Sequence, residues 1–231
     1  MQAKIELKGI LIVNKPSGMT SHDVVDAVRK KFRMKRVGHA GTLDPLATGV
    51  LVVLIGKATK LFDQFSSFDK AYEATMTLGL VTSTADIKGK TIYERPCEDI
   101  AQTQVEEVMK KFVGEIEQIP PMVSAVRYKG KRLYQLARKG IEVKREPRKI
   151  NIFHLNLLDF KRPNVKFYLE CSKGTYVRKI AEDIGDVLGC GACISQIHRT
   201  KVGPFCIEKA ISLDEVNETH LMRPDEYRNM L

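Results

Sequence analysis

The chain has 231 residues, with 38 Lys and Arg against 28 Asp and Glu, a formal charge of +10. That length allows a core that removes roughly 70–75% of the unfolded chain's surface from water. With 43% hydrophobic and 29% charged residues, the composition argues against disorder, collagen-like repeats and coiled coils. The longest apolar run, Val50–Ile55, is far below the ~18 residues of a membrane span.

Ile10–Val13 reads as a buried strand, stopped by Asn14-Lys15-Pro16-Ser17-Gly18, because Pro and Gly impose a turn. Thr20 and Ser21 cap a helix in which Val24, Val25, Val28 and Phe32 recur at helical spacing. Gly38 to Gly49 is a glycine-rich loop feeding a second buried strand, 50–55. A short helix is expected after Thr59, a strand over 71–78, and a helix from the capping box Thr103-Gln-Val-Glu106 to about Phe112. Pro120-Pro121 breaks regular structure, and the basic segment that follows contains a short helix near Arg132–Lys139, stopped by Gly140. Strands are expected at 150–160 and 164–172, the second alternating Val165, Phe167, Leu169 and Cys171 against Lys166, Tyr168 and Glu170. Thr175 then caps a helix carrying Val177, Ile180, Ala181, Ile184, Val187 and Leu188 and ended by Gly189. Strands and helices mix without a regular βαβ alternation. The expected fold class is therefore α+β, a mixed, mostly antiparallel sheet flanked by helices. No linker or repeat is visible, so 1–231 reads as a single domain.

The positive charge is concentrated. Residues 127–149 hold ten basic and two acidic side chains, a net of +8. Tyr128 and Tyr134 lie among these cations and are suited to stacking on bases, so nucleic acid leads the list of partners. A membrane surface is disfavoured, because no apolar amphipathic face accompanies the charge. A second basic run, Arg29–Arg36, ends the first helix, where the dipole favours cations; a solvated face and a binding face both remain open. The N-terminal residues 1–6 lack an apolar stretch and a cleavage site, which points to the cytoplasm. Five cysteines include one CxxC, Cys190 to Cys193; with no second ligand pair at zinc spacing, plain reduced thiols are expected and no metal site.

Two stretches carry possible chemistry. In Gly38-His39-Ala40-Gly41-Thr42-Leu43-Asp44-Pro45, Pro45 pushes Asp44 out of the helical region, so its carboxylate projects from a fixed loop. An Asx-turn is the bland alternative, and no phosphate-cradling glycine motif is present. With Thr175 as N-cap, Arg178 falls at N3, where the helix dipole disfavours a cation by a few tenths to ~1 kcal/mol. Either it faces solvent or a carboxylate holds it in a pocket. A nearby Arg keeps an Asp anionic at neutral pH, and an ionised Asp is a usable nucleophile.

These residues carry a family resemblance. GHAGTLDPLATGVL (38–51) resembles the catalytic motif of the TruB family of tRNA pseudouridine synthases. IVNKPSGMTSHDVV (12–25), KAYEATMTLG (70–79), IPPMVSAVRYKGKRLYQLARKGIEV (119–143) and CSKGTYVRKIAEDIGDVLGCGA (171–192) resemble its other blocks in the same order. The resemblance implies the pseudouridine synthase fold and isomerisation of uridine 55 in the tRNA T-loop, with no metal, no organic cofactor and no obligate protein partner. It implies Asp44 as nucleophile on a flipped nucleotide, Tyr72 as the tyrosine stacked on the target base, and Arg178 as the arginine paired with the catalytic carboxylate. His39 matches the histidine that fills the space vacated in the T-loop. Lys15 and Pro16 match a motif supporting the catalytic loop. The insertion at about 120–149 resembles an RNA-gripping thumb, with Tyr128, Lys129, Lys131 and Arg132 as RNA contacts and Arg199 as a further one.

The chain departs from the family pattern at Ser83, where Asp is usual, and at His198, where Arg is usual. Set against the family pattern, the chain reads as a short form without the C-terminal PUA RNA-binding domain, either by nature or by truncation. A guide-RNA-dependent synthase of the dyskerin type and a non-catalytic RNA-binding module are the alternatives. The thumb-like insertion disfavours the first; Asp44, Tyr72 and Arg178 together disfavour the second.

Overall fold

A computed structural model describes residues 8–223, 226 and 227; the segment 1–6, read above for secretion signals, lies outside the described residues. The elements run β1 Gly9–Lys15, α1 Ser21–Phe32, β2 Val37–Ala40 and β3 Thr48–Ile55, then a 3-10 turn Gly56–Leu61 into α2 Phe62–Ser66. There follow β4 Lys70–Leu78, β5 Leu80–Thr82, β6 Thr91–Glu94, α3 Gln102–Lys110, β7 Gly114–Gln118, β8 Arg127–Tyr128, β9 Lys131–Arg132 and α4 Leu133–Ala137. The rest is β10 Arg148–Lys161, β11 Asn164–Cys171, α5 Val177–Leu188, β12 Ala192–Val202, β13 Phe205–Cys206 and β14 Ile211–Ser212. Contacts divide the chain into two units, one built up to Ala71 and again from His198, the other from Tyr72–Ile197.

In the first unit the strand order is β14-β1-β3-β12, with β2 also on β3 and β13 on β12. β1 and β3 pair antiparallel along their whole length, Gly9 opposite Ile55 and Lys15 opposite Gly49. β14 lies parallel to β1, and β12 parallel to β3. Ile10, Ile12, Val50, Val52 and Leu54 fill one face with Phe65, Phe205 and Tyr227. Phe65 stacks on Phe205 with ring centroids 5.9 Å apart and meets Tyr227 edge-on at 5.3 Å. The alternate residues Leu11, Val13, Leu51 and Val53 are equally buried, which is why both strands read as unbroken apolar runs instead of alternating ones. α1 starts as expected: Thr20 Oγ1 accepts the Asp23 N–H, and the Asp23 carboxylate accepts the Thr20 N–H. Its basic end is largely engaged. Arg29 donates to Asp26 and Val37 O, Lys31 to the carbonyls of Leu213, Asp214 and Val216, and Arg36 to Thr59.

In the second unit β12 leads to β4, β11, β10 and β7 in that order, and β10 pairs antiparallel with both β11 and β7. Val165, Phe167, Leu169 and Cys171 are buried, as the alternation requires. α3 contacts both α5 and β10, burying Val105, Val108 and Met109, while α5 buries Val177, Ile180, Ala181 and Ile184. The mixed, mainly antiparallel sheet with flanking helices is the α+β arrangement read from the sequence.

Four details differ from that reading. The loop begins at Gly41, because Val37–Ala40 pairs with β3, Val37 opposite Ile55 and Ala40 opposite Val52. α3 starts two residues earlier, with Ala101 as N-cap: Gln104 Oε1 accepts the Ala101 N–H at 2.7 Å, and alanine offers no side-chain acceptor to complete a capping box. The α5 N-cap is Tyr176 instead of Thr175; Gln118 takes the Tyr176 N–H at 2.8 Å, while Thr175 Oγ1 turns to Ser172 O. Strands β5, β6, β7 and β12 carry no clear apolar alternation: β5 and β6 pair with each other across a short connection, while β7 and β12 owe ladders to the distant strands β10 and β3.

No described helix is long and apolar enough to cross a membrane. Cys171, Cys190 and Cys193 are buried, and burial pushes Cys193 up to about 11.

Candidate active site

β2 and β3 form an antiparallel pair whose connection, 41–47, carries Asp44. The Asp44 carbonyl accepts the Ala47 N–H at 3.0 Å, closing a turn through Pro45 and Leu46. The backbone on both sides of Asp44 is tied down. Ser21 Oγ accepts the Leu43 N–H at 2.8 Å and donates to Leu43 O at 3.1 Å. Pro45 O accepts the Gly18 N–H at 2.8 Å and Lys15 Nζ at 3.5 Å. Ser17 Oγ donates to Leu46 O at 3.4 Å. The apolar side chains of Leu43 and Ala47 are buried and fix the loop from below, while Asp44 itself stays partly exposed. A carboxylate held this way meets a ligand in one pose, with little ordering left to do.

Lys15 is fully buried and also donates to Met19 O at 2.6 Å and Pro16 O at 2.8 Å. Burial holds its pKa down to about 8; the negative charge of Asp44 opposes that shift, and Arg199 adds to it. Arg199, expected to contact RNA, is only 1% exposed. Its guanidinium turns inward instead, Nε donating to Val50 O at 2.7 Å and Nη2 to Gly41 O at 3.0 Å. This corrects the sequence reading. At β12 the backbone comes so close to Gly49, φ +102°, that a Cβ there would lie 2.2 Å from Arg199 O; only glycine permits that approach. His198, the departure from the family pattern, shares a 2.8 Å hydrogen bond with Thr48 Oγ1 and ties β12 to the start of β3. His39 is half-buried in β2, opposite Val53.

Tyr72 is buried in β4 of the second unit. Arg178 lies at N2 of α5, one position earlier than the sequence placed it, and is 3% exposed. It does not face solvent. Nη1 donates to Thr84 O at 2.8 Å and stands 3.7 Å from Asp86 Oδ2, while Nη2 donates to Val123 O at 2.9 Å. These acceptors offset the unfavourable helix dipole. Asp86 was missed as a site residue. Its Oδ1 accepts Thr84 Oγ1 and the Lys88 N–H, the Asx-type pattern that a Thr-x-Asp-x-Lys run foreshadows. Ser83 is exposed and its Oγ accepts the Lys90 N–H at 3.0 Å, a turn contact within the loop.

The basic segment 127–149 opens with a β8–β9 hairpin followed by α4. Lys129 and Gly130 between the strands have φ +46° and +82°, so the cations are fanned out by a primed two-residue turn. Lys129, Lys131 and Arg132 are exposed, and Arg132 Nη1 also donates to Ala125 O at 3.0 Å. Lys129 Nζ lies 5.6 Å from the Tyr128 ring centroid, and Arg138 is at 5.4 Å from Tyr134.

A family model described as TruB family pseudouridylate synthase, N-terminal domain, matches residues 29–177. The chain belongs to the TruB family. A second model, the tRNA pseudouridylate synthase B C-terminal domain, matches residues 178–231 of this TruB-family chain. A relative from Clostridium tetani named tRNA pseudouridine synthase B is 48% identical over 215 residues, 93% of this chain and 74% of that protein. One from Opitutus terrae, with the same name, is 46% identical over 216 residues, covering 94% and 90%. Among solved structures, a chain of a Cbf5-Nop10-Gar1 complex superposes with a TM-score of 0.71 at 33% identity. The match covers 90% of the TruB-family chain and about half, 53%, of that longer one.

Proposed function

We propose that this TruB-family chain isomerises uridine 55 in the T-loop of tRNA to pseudouridine, with Asp44 as nucleophile on a flipped-out nucleotide. The C1′–N1 bond breaks, the uracil rotates, and a C1′–C5 bond forms while C5 loses a proton and N1 gains one. Atoms balance without oxidant, reductant or water, and the reading needs no metal or organic cofactor. The observation that carries it is the cage around Asp44. A loop held at Gly41, Leu43, Pro45 and Leu46 presents one partly exposed carboxylate, as covalent catalysis demands.

Tyr72 is assigned to stacking on the target base and Arg178 to pairing with the catalytic carboxylate. A base inside a folded loop must first leave its stack, at a cost of a few kcal/mol, which aromatic and phosphate contacts offset. The insertion at about 120–149, with Tyr128, Lys129, Lys131 and Arg132, is assigned to the phosphates, and His39 to the space the nucleotides vacate. Arg199, Lys15 and Pro16 position the Asp44 loop. We place the protein in the cytoplasm, acting on the T stem-loop without an obligate protein partner.

The test is incubation of the pure protein with an unmodified tRNA transcript, followed by mapping of pseudouridine. Product at position 55 without guide RNA is expected, and Asp44→Asn should abolish it while tRNA binding survives. Product formed only after a guide RNA is added would favour a guide-dependent enzyme, and an active Asp44→Asn variant would remove Asp44 from the mechanism.

A further inference from the structure

The root of the basic insertion is tied by one cation. Arg145, on the returning limb, has a side chain 23% exposed and donates Nη2 to Glu142 Oε1 at 3.0 Å. Its Nη1 donates to Pro120 O at 3.3 Å, so it joins the two limbs of the insertion across 25 residues. Pro120 is followed by Pro121, whose ring locks φ and stiffens the outgoing limb. Two residues further on, Val123 O is one of the acceptors of Arg178. Val123, Arg145 and Pro121 line a cavity of about 320 Å³ together with Thr84, and Thr84 O is another acceptor of the same guanidinium.

We propose that Arg145 is a positioning residue for the isomerisation: by fixing Pro120 it sets Val123, and through Val123 the place of the Arg178 guanidinium. The basic insertion and Arg178 thus move together, so that seating RNA on the insertion and ordering the arginine are one event. This rests on the isomerase reading above. A surface phosphate contact is the competing role for any cation in this segment, but Arg145 is largely buried and two of its donors point at a carbonyl and a carboxylate of its own chain.

The experiment compares wild type, Arg145→Met, Arg145→Lys and Glu142→Ala on unmodified tRNA transcript, measuring kcat and, separately, tRNA Kd. Arg145→Met should lower kcat at least about tenfold while Kd stays within about threefold. Arg145→Lys should recover part of kcat, since an ammonium still reaches the Pro120 carbonyl. Glu142→Ala should also lower kcat, although it removes a negative charge from the RNA-facing segment. Unchanged kcat in Arg145→Met overturns the proposal. So does a loss confined to Kd, accompanied by tighter binding in Glu142→Ala, because that is the signature of a phosphate contact. A wild type that forms no pseudouridine overturns the isomerase reading and this inference with it, and the wild-type control tells the two failures apart.

Discussion

Ser21 holds Leu43 by both backbone groups, accepting its N–H at 2.8 Å and donating to its carbonyl at 3.1 Å. Leu43 is the residue before Asp44, so a hydroxyl in the first turn of α1 sets where the carboxylate begins. Both partners are buried, at 2% and 4% exposure. Ser21→Ala leaves a buried N–H and a buried C=O unsatisfied, and should cost about 1–3 kcal/mol of stability. Denaturant unfolding measures that loss, and pseudouridine formation should fall as the Asp44 loop loosens. A variant as stable and as active as wild type would show that the clamp is unnecessary.

Lys15 gives a pH signature. Its pKa is lowered from an ordinary 10.5 to about 8, chiefly by burial, so between these values the unfolded chain binds a proton that the folded chain does not. Stability therefore rises with pH across that window, and is lost again as pH falls from about 10.5 to about 8. Wild type should gain up to about 3 kcal/mol on Lys15→Met between pH 8 and 10.5. Paired denaturation curves at the two ends measure it, because other titrating groups cancel in the difference. A gap that does not change with pH would mean that Lys15 is not held at a depressed pKa.

The hairpin cations should reveal themselves through salt. Lys129 is exposed in the β8–β9 turn, and Lys131 and Arg132 are exposed on β9. Replacing all three by Gln should weaken tRNA binding and flatten the plot of log Kd against log salt by roughly 0.7–0.9 for each lost phosphate contact. An unaltered slope would remove these side chains from the RNA interface.

The sequence by itself determined a good deal. The apolar runs 10–13 and 50–55, the alternation through Val165 to Cys171, the cap at Thr20 and the loop exposing Asp44 are local patterns, set by side-chain period and by Pro and Gly geometry. The concentration of charge in 127–149 is likewise a property of the chain alone.

Tertiary structure decided what depends on partners distant in sequence. Strand β2 exists because β3 offers it a ladder. Arg199 reads as one more cation of a basic protein, yet the carbonyls of Gly41 and Val50, about 150 residues away, draw it into the interior. Arg178 proved buried, with acceptors at Thr84 and Val123 that no spacing rule connects to it. A buried charge needs its partners, and only the folded chain shows which groups those partners are.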